Sequence, residues 1–244
     1  MFSRTENFQQ FIRYYPIVST IILIHILLYL VTLIPIFPSR LIFETLAGVN
    51  LYIAEGEYWR FITPIFLHSG FAHMLFNSFS LVLFGPALEK MLGKTKFTLL
   101  YLAGGTLANV ATYLVNPLSY SHVGSSGAIF ALFGFYLAII LFKKHLLSRQ
   151  NSQIVLTITV IGLVMTFIQP NVNVAAHVFG LISGFLIGSI VYFDKNVKVT
   201  IPFSGKFQST NIRSVKQNLK SLSPGKLIFW GVVLVLAIVG LIGR

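Results

Sequence analysis

Residues 175–193 read AAHVFGLISGFLIGSIVYF, an apolar run with no charged side chain and one histidine, His177, near its start. A helix crossing the hydrocarbon core needs roughly 17–25 such residues. On a helix, His177, Gly180, Gly184 and Gly188 fall at i, i+3, i+7 and i+11 and share one face. Small residues on a membrane helix let a partner backbone approach closely. A matching stripe, Gly127, Ala131 and Gly134, runs along the apolar segment Ala128–Phe142. Pressing the two stripes together brings the outer ends of both segments into contact and sets His177 beside Ser126.

Five further apolar runs flank these two: Ile17–Ile36, Ala72–Leu88, Phe97–Val115, Ile154–Ile168 and Leu227–Ile242. The 244-residue chain is 55% hydrophobic and 10% charged, against about 25% charge in a soluble domain. The pattern predicts an all-α polytopic membrane protein. Ile17–Ile36 is too long for the apolar region of a signal peptide and is followed by no small-x-small cleavage site, so it reads as a retained span. The expected organisation is an N-terminal tail (1–15), a six-helix core (16–193), a basic linker (194–226) and a seventh transmembrane helix (227–244). Phe37–Phe71 is too apolar for a solvated loop yet is broken by Gly48, Gly56, Pro64 and Gly70. It reads as a re-entrant or interfacial element, buried against protein at membrane depth.

The net charge of +12 could suggest a nucleic-acid partner, but its distribution argues against one. With the N-terminus in the cytoplasm and seven alternating spans, 15 of the 18 Lys and Arg residues fall inside and only Arg40, Arg60 and Arg244 outside. The positive-inside rule asks for this asymmetry. The basic inner face is expected to meet anionic lipid headgroups, and the C-terminus to be extracytoplasmic. The short N-terminal tail carries no Arg- and Ser-rich presequence, which points to a bacterial plasma membrane rather than an organelle. With no cysteine, disulfides, thiolate chemistry and Cys-based zinc sites are excluded, and no cofactor is implied.

Polar groups inside a bilayer are expensive and usually carry function or pair with one another. Ser126 lies in Gly124-Ser125-Ser126-Gly127, at the start of a long apolar run, and there is no Asp or Glu between Lys90 and Phe193. A hydroxyl and an imidazole with no acid near them suggest a two-residue hydrolase, the imidazole activating the hydroxyl. Taken alone, the serines also read as N-caps of the following helix, whose free N–H groups would favour an anion. His73-x-x-x-Asn77 lies at the outer part of the second run, with both side chains able to donate hydrogen bonds on one helix face. Donors aimed at a developing oxyanion are usually the largest catalytic term; interhelical polar contact is the plainer reading of the pair.

These motifs together resemble the rhomboid family of intramembrane serine proteases. The resemblance runs from about Gly56 to Phe193. It includes Tyr58-Trp59-Arg60, Thr63, His68-Ser69-Gly70-Phe71-x-His73-x-x-x-Asn77, Glu89-Lys90-x-x-Gly93, Gly124-x-Ser126-Gly127 and Ala176-His177-x-x-Gly180-x-x-x-Gly184. It implies Ser126 as nucleophile, His177 as general base, and Asn77, His73 and the Ser126 backbone N–H as the oxyanion hole, acting on transmembrane protein substrates near the outer side. The family places an aromatic residue four positions after the serine, against the histidine. Here that is Phe130, which lacks a hydroxyl, so packing is expected to orient the base. Ser125 is a second hydroxyl that spacing alone does not separate from Ser126, although the family pattern favours Ser126. Trp59-Arg60 matches a structural motif of the family's first loop and on its own reads as an interfacial anchor, His68 as a loop hydrogen-bond partner and His145 as part of the inner basic flank. His25 and His122 have no assigned partner.

Two other classes stand beside this one. A His-based metal transporter would use His68, His73 and His177 as ligands, but the sequence offers it no intramembrane carboxylate and no HExxH. A non-catalytic relative would bind transmembrane helices without cutting them; members of that sort have lost the serine or the histidine, and both are present here.

Overall fold

The computed structural model describes residues 5–34 and 38–193, with the side chains of Tyr192 and Phe193 excepted. The linker and seventh helix expected from the sequence lie outside the described residues, as does Arg4.

Helix α1 (Phe8–Tyr14) begins at Asn7, whose side chain and that of Gln10 each bond the other's backbone N–H as a capping box. The tail expected from charge alone therefore contains a short helix. Helix α2 (Pro16–Leu33) follows with Pro16 at its first turn, where a missing N–H costs nothing. The first loop holds α3 (Ser39–Leu46), β1 (Gly48–Val49) and α4 (Asn50–Ala54), followed by two 3-10 turns at Tyr58–Phe61 and Thr63–Phe66. Then come α5 (Phe71–Leu92), α6 (Lys94–Val115), β2 (Ser121–His122), α7 (Ser126–Phe142), α8 (Arg149–Ile168) and α9 (Val174–Phe193).

Among the described residues, α2, α5, α6, α8 and α9 are long and apolar enough to cross a membrane. The chain is a multi-pass, all-α membrane protein. The fourth expected span, Ala128–Phe142, is the exception. Its helix, α7, has 17 residues and is about 25 Å long at 1.5 Å per residue, short of a hydrocarbon core of about 30 Å. It is also the central helix: every residue from Gly127 to Ile139 is buried. Its C-terminus runs directly into Lys143 and Lys144, whose charges must reach the membrane surface. The shortfall therefore falls at the other end, and Ser126 starts its helix below the opposite face.

The crossing of α7 and α9 is built on the two predicted stripes. A Cβ at Gly180 would run into the Gly127 carbonyl, one at Gly184 into the Ala131 carbonyl, and one at Gly134 into the Leu181 carbonyl. Gly188 faces Ala138 and Phe135. The backbones themselves are in contact along the whole seam. Beside this seam α6 also packs close to α7, with Gly104 facing Ala131 and Gly105 facing Ala128.

Polar side chains fasten the outer helices. Glu89, buried near the end of α5, accepts the backbone N–H groups of Ile17 and Val18 at 2.9 Å each. Its carboxylate takes the place of a cap at the start of α2, where free N–H groups favour negative charge. Tyr136, fully buried in α7, donates to the Phe84 carbonyl of α5 at 2.7 Å.

Replacing Gly184 by Val puts a branched side chain against backbone that cannot yield. Overpacking a well-packed core typically costs about 1–3 kcal/mol or more. Gly184→Val is expected to lower the thermal unfolding midpoint in detergent by several degrees, while Gly70→Ala, at a site with open space around it, leaves it unchanged.

Candidate active site

The first loop is stapled down by Arg60. Its guanidinium is buried and donates to the Glu44 and Ala47 carbonyls at 2.6 Å each. It also pairs with Glu57 at 2.5 Å and lies over the Tyr52 ring at 4.8 Å. Thr63 Oγ1 donates to the Leu46 carbonyl at 2.7 Å, and Trp59 Nε1 to the Thr45 carbonyl. These bonds make the Trp59-Arg60 motif a structural anchor, as its sequence suggested. Asn109 of α6 holds the Phe61 carbonyl at 2.9 Å and so ties the loop to the bundle.

The loop then grips the segment that carries Ser126. Strands β1 and β2 pair antiparallel, Gly48 opposite His122 and Val49 opposite Ser121. The Gly124 N–H donates to the Pro64 carbonyl at 2.9 Å. His122 therefore belongs to this clasp. Its ring sits against Gly48, where any Cβ would collide with it, and is stacked on Tyr120.

Gly124 has φ +125°, a conformation open only to glycine without strain. Here the backbone passes closest to α5: a Cβ at Gly124 would come within 2.6 Å of His73 Nε2 and 3.7 Å of Asn77 Nδ2. The structure thus brings His73 and Asn77 to the turn that leads into Ser126. The other nitrogen of His73 lies 3.3 Å from Ser69 Oγ. Asn77 is buried, and its Nδ2 has no hydrogen-bond partner among the described residues. Buried amides are nearly always bonded, so an orphan needs an explanation.

The two adjacent serines are distinct. Ser125 is fully buried, with its hydroxyl 3.5 Å from His68 Nε2. The His68 ring packs against His25 at 4.7 Å between centroids, and His25 opens a polar cluster: Tyr101 OH lies 3.4 Å from its Nε2 and Ser78 Oγ 3.2 Å from its Nδ1. His25, unassigned from sequence, finds its partners here. Ser125 stands at the N-cap position of α7, yet its side chain makes no cap bond. The capping expected of the serines does not occur: the Ser125 hydroxyl turns to the buried His68 instead of the helix end. The first-turn N–H groups of α7 keep no side-chain cap. Ser126, by contrast, is the partly exposed first residue of α7.

His177 lies on the first turn of α9. Asn173 starts that helix, its Oδ1 accepting the Ala176 N–H at 3.0 Å and its amide meeting Thr112 of α6 at 3.1 Å. A Cβ at Gly127 would come 3.4 Å from Ala176, and Phe130 stacks on the His177 ring at 4.3 Å between centroids and 21° between planes. Phe130 follows Ser126 by one helical turn on the same face, so the stack sets the imidazole on the Ser126 side of α7. Sequence reasoning missed the remaining contact: Thr166 Oγ1 of α8 lies 2.7 Å from His177 Nδ1. The only signal for it was a hydroxyl near the outer end of the fifth apolar run.

A Rhomboid domain model matches residues 55–193, more than half of the chain. This protein belongs to the rhomboid family. This rhomboid is 50% identical over 187 residues to YdcA of Bacillus subtilis, covering 77% of this chain and 94% of the relative. It is 37% identical over 149 residues to the Bacillus subtilis rhomboid protease GluP, covering 61% of this chain but 29% of that longer protein. It is 33% identical over 156 residues to RHOMBOID-like protein 1 of Arabidopsis thaliana, covering 63% of this chain and 40% of the relative.

Burial pushes the His122 pKa down to about 4, from an ordinary value of about 6.5. The folded rhomboid refuses a proton that the unfolded chain accepts. Stability present above about pH 6.5 is therefore lost as the pH falls toward 4. His122→Phe is expected to flatten the dependence of the unfolding midpoint on pH across that window, read as the slope between pH 4 and 6.5.

Proposed function

We propose that this rhomboid protease cleaves transmembrane helices of membrane-protein substrates through a Ser126–His177 dyad with an acyl-enzyme intermediate. The observation that carries the reading is the orphaned Asn77 Nδ2 beside His73 Nε2 at the Gly124 turn. A buried, unpaired donor next to an uncapped helix N-terminus is what an oxyanion hole requires before substrate arrives, since its partner forms only in the reaction.

In this reading a substrate helix enters from the membrane and unwinds near its outer end, because a helical backbone hides its carbonyls in its own hydrogen bonds. Small or helix-breaking residues ease that step. His177 Nε2 takes the Ser126 proton as Oγ bonds to the carbonyl carbon. The oxygen, now negative, is held by Asn77 Nδ2, the Ser126 N–H and His73 Nε2–H, with Ser69 donating to His73 Nδ1. The C–N bond then breaks as His177 returns the proton to the leaving amine. Water repeats the sequence on the acyl-enzyme, releasing the acid and restoring the serine. Ser126 is favoured over Ser125 because only its hydroxyl is free of buried partners and reachable.

The membrane in question is read as a bacterial plasma membrane, with a cytoplasmic N-terminus, anionic lipid against the basic inner flank and the C-terminal residues 227–244 as an added span ending outside. Seventeen residues of α7 ending at Lys143 favour this orientation, with the reacting groups recessed below the outer leaflet. No cofactor or metal takes part in the proposed chemistry. The non-catalytic and transporter readings are not favoured: the contacts of His177 are a hydroxyl and an aromatic face, which suit a base better than a metal ligand.

Two measurements test the dyad. Labelling with a fluorophosphonate and peptide mapping is expected to modify Ser126 alone, with Ser126→Ala abolishing both labelling and cleavage and Ser125→Ala retaining both. Asn77→Ala is expected to lower kcat by roughly 10²–10³-fold with a smaller effect on KM, as for loss of one oxyanion donor. Full cleavage by Ser126→Ala would refute the nucleophile.

A further inference from the structure

The His177 ring has two nitrogens, and only a neutral imidazole with its lone pair on Nε2 can accept the Ser126 proton while Nδ1 points away. Something must choose that tautomer. A carboxylate does so in many serine hydrolases, but this chain has none between Lys90 and Phe193. Phe130 stacking fixes the plane of the ring without telling its two nitrogens apart.

Thr166 supplies the missing distinction. The residue is 1% exposed, and its hydroxyl lies 2.7 Å from His177 Nδ1 and 2.7 Å from the Gly162 carbonyl one turn earlier on α8. A threonine has one proton to give and two lone pairs to offer. The Gly162 carbonyl can only accept, so it takes the threonine proton. Oγ1 is then an acceptor toward His177, and Nδ1 must carry hydrogen. The lone pair is left on Nε2. When Nε2 gains the serine proton, the same Nδ1–H···Oγ1 bond persists and becomes charge-assisted, favouring the imidazolium. Gly162 also leaves room for the stack: a Cβ there would come within 3.1 Å of the Phe130 ring. One turn of α8 thus serves both contacts of the imidazole.

We propose that Thr166 is a positioning residue for the dyad, its hydroxyl donating to the Gly162 carbonyl and accepting from His177 Nδ1–H so that Nε2 is the base. The inference rests on the Ser126–His177 reading. It makes the base a three-group relay, Gly162 carbonyl to Thr166 to His177, in which every member is uncharged until the proton moves.

The test uses the full chain in proteoliposomes with a quenched fluorogenic transmembrane peptide carrying small residues near its outer end. Thr166→Val, which keeps the shape and removes the hydroxyl, is expected to lower kcat by roughly 10- to 100-fold, the range for losing one hydrogen bond to a charged group, with KM within about twofold. Thr166→Ser is expected to recover most of the loss. Wild-type kcat in Thr166→Val, or an equal loss in Thr166→Ser, overturns the proposal. A second readout needs no variant at this position: ¹⁵N chemical shifts of His177 in the wild type, assigned by comparison with His177→Ala, are expected to show a protonated Nδ1 and a bare Nε2 at neutral pH. The opposite tautomer overturns it even if the valine variant fails to assemble. Should Ser126→Ala remain active, the dyad itself falls; should activity need Ser126 but ignore Thr166, only this inference does.

Discussion

The structure depends on two backbones meeting without side chains between them. Water cannot drive helices together inside a bilayer, because lipid tails are as apolar as the side chains they would replace. Close packing must supply the attraction, and it grows as the axes approach. Gly127, Gly134, Gly180 and Gly184 let carbonyls of one helix rest directly on Cα atoms of the other. This contact sets the proposed nucleophile and base at one end of the seam: Gly127 follows Ser126, and Ala176, its neighbour across the seam, precedes His177. The tightness that holds the bundle together is also what holds the proposed nucleophile and base in register.

The second constraint is the length of α7. A helix that stops short of one membrane face leaves its first-turn N–H groups inside, where they cannot be satisfied by bulk water. The segment before it must also be sheltered. The first loop does this with main-chain bonds: the two-residue ladder of β1 and β2, Gly124 on the Pro64 carbonyl, and Arg60 saturated by Glu44, Ala47 and Glu57. The loop's main chain is sheltered in this way while Leu41, Tyr58 and Trp59 remain exposed on it, the pairing of a bonded backbone with outward apolar side chains that an interfacial or membrane-embedded element requires. The same arrangement leaves open the few donors that a transient anion would use.

Much of this was legible in the sequence, for physical reasons. Charge exclusion marks spans whatever their partners, and the period of small residues marks which faces meet, so Ala175–Phe193 disclosed both its own helix and its neighbour. The ends of elements were less legible. α5, α6 and α8 each extend beyond their apolar runs because Lys94, Arg149 and similar residues prolong a helix past the hydrocarbon edge. Spacing alone did not separate Ser125 from Ser126, and only the family pattern favoured Ser126, since the physical difference lies in where each hydroxyl points, which for Ser125 depends on His68 from another part of the chain. Thr166 was invisible for the same reason: its distance from His177 is a product of how α8 leans on α9, and nothing in the period of α8 sets its one important hydroxyl apart from Thr157 or Thr159.

A neutral residue behind the histidine is also what the medium demands. A carboxylate buried among α7, α8 and α9 would carry a desolvation cost of several kcal/mol before any substrate arrived, and in the resting state the imidazole beside it is uncharged and cannot offset that cost by ion pairing. A threonine whose proton is already given to a carbonyl of its own helix is satisfied at rest, at the expense of a slight bend. It presents only a dipole, yet that dipole is oriented, because the Gly162 bond prevents the hydroxyl from rotating to donate to the ring. In the proposed reaction charge appears in the site only as the proton moves, when imidazolium and oxyanion form together and attract each other strongly in the low-dielectric interior. In water a third acidic group steadies the base before it acts; within a bilayer the same steadying is achieved by geometry, with the ring plane set by Phe130 and the proton's address set by Thr166.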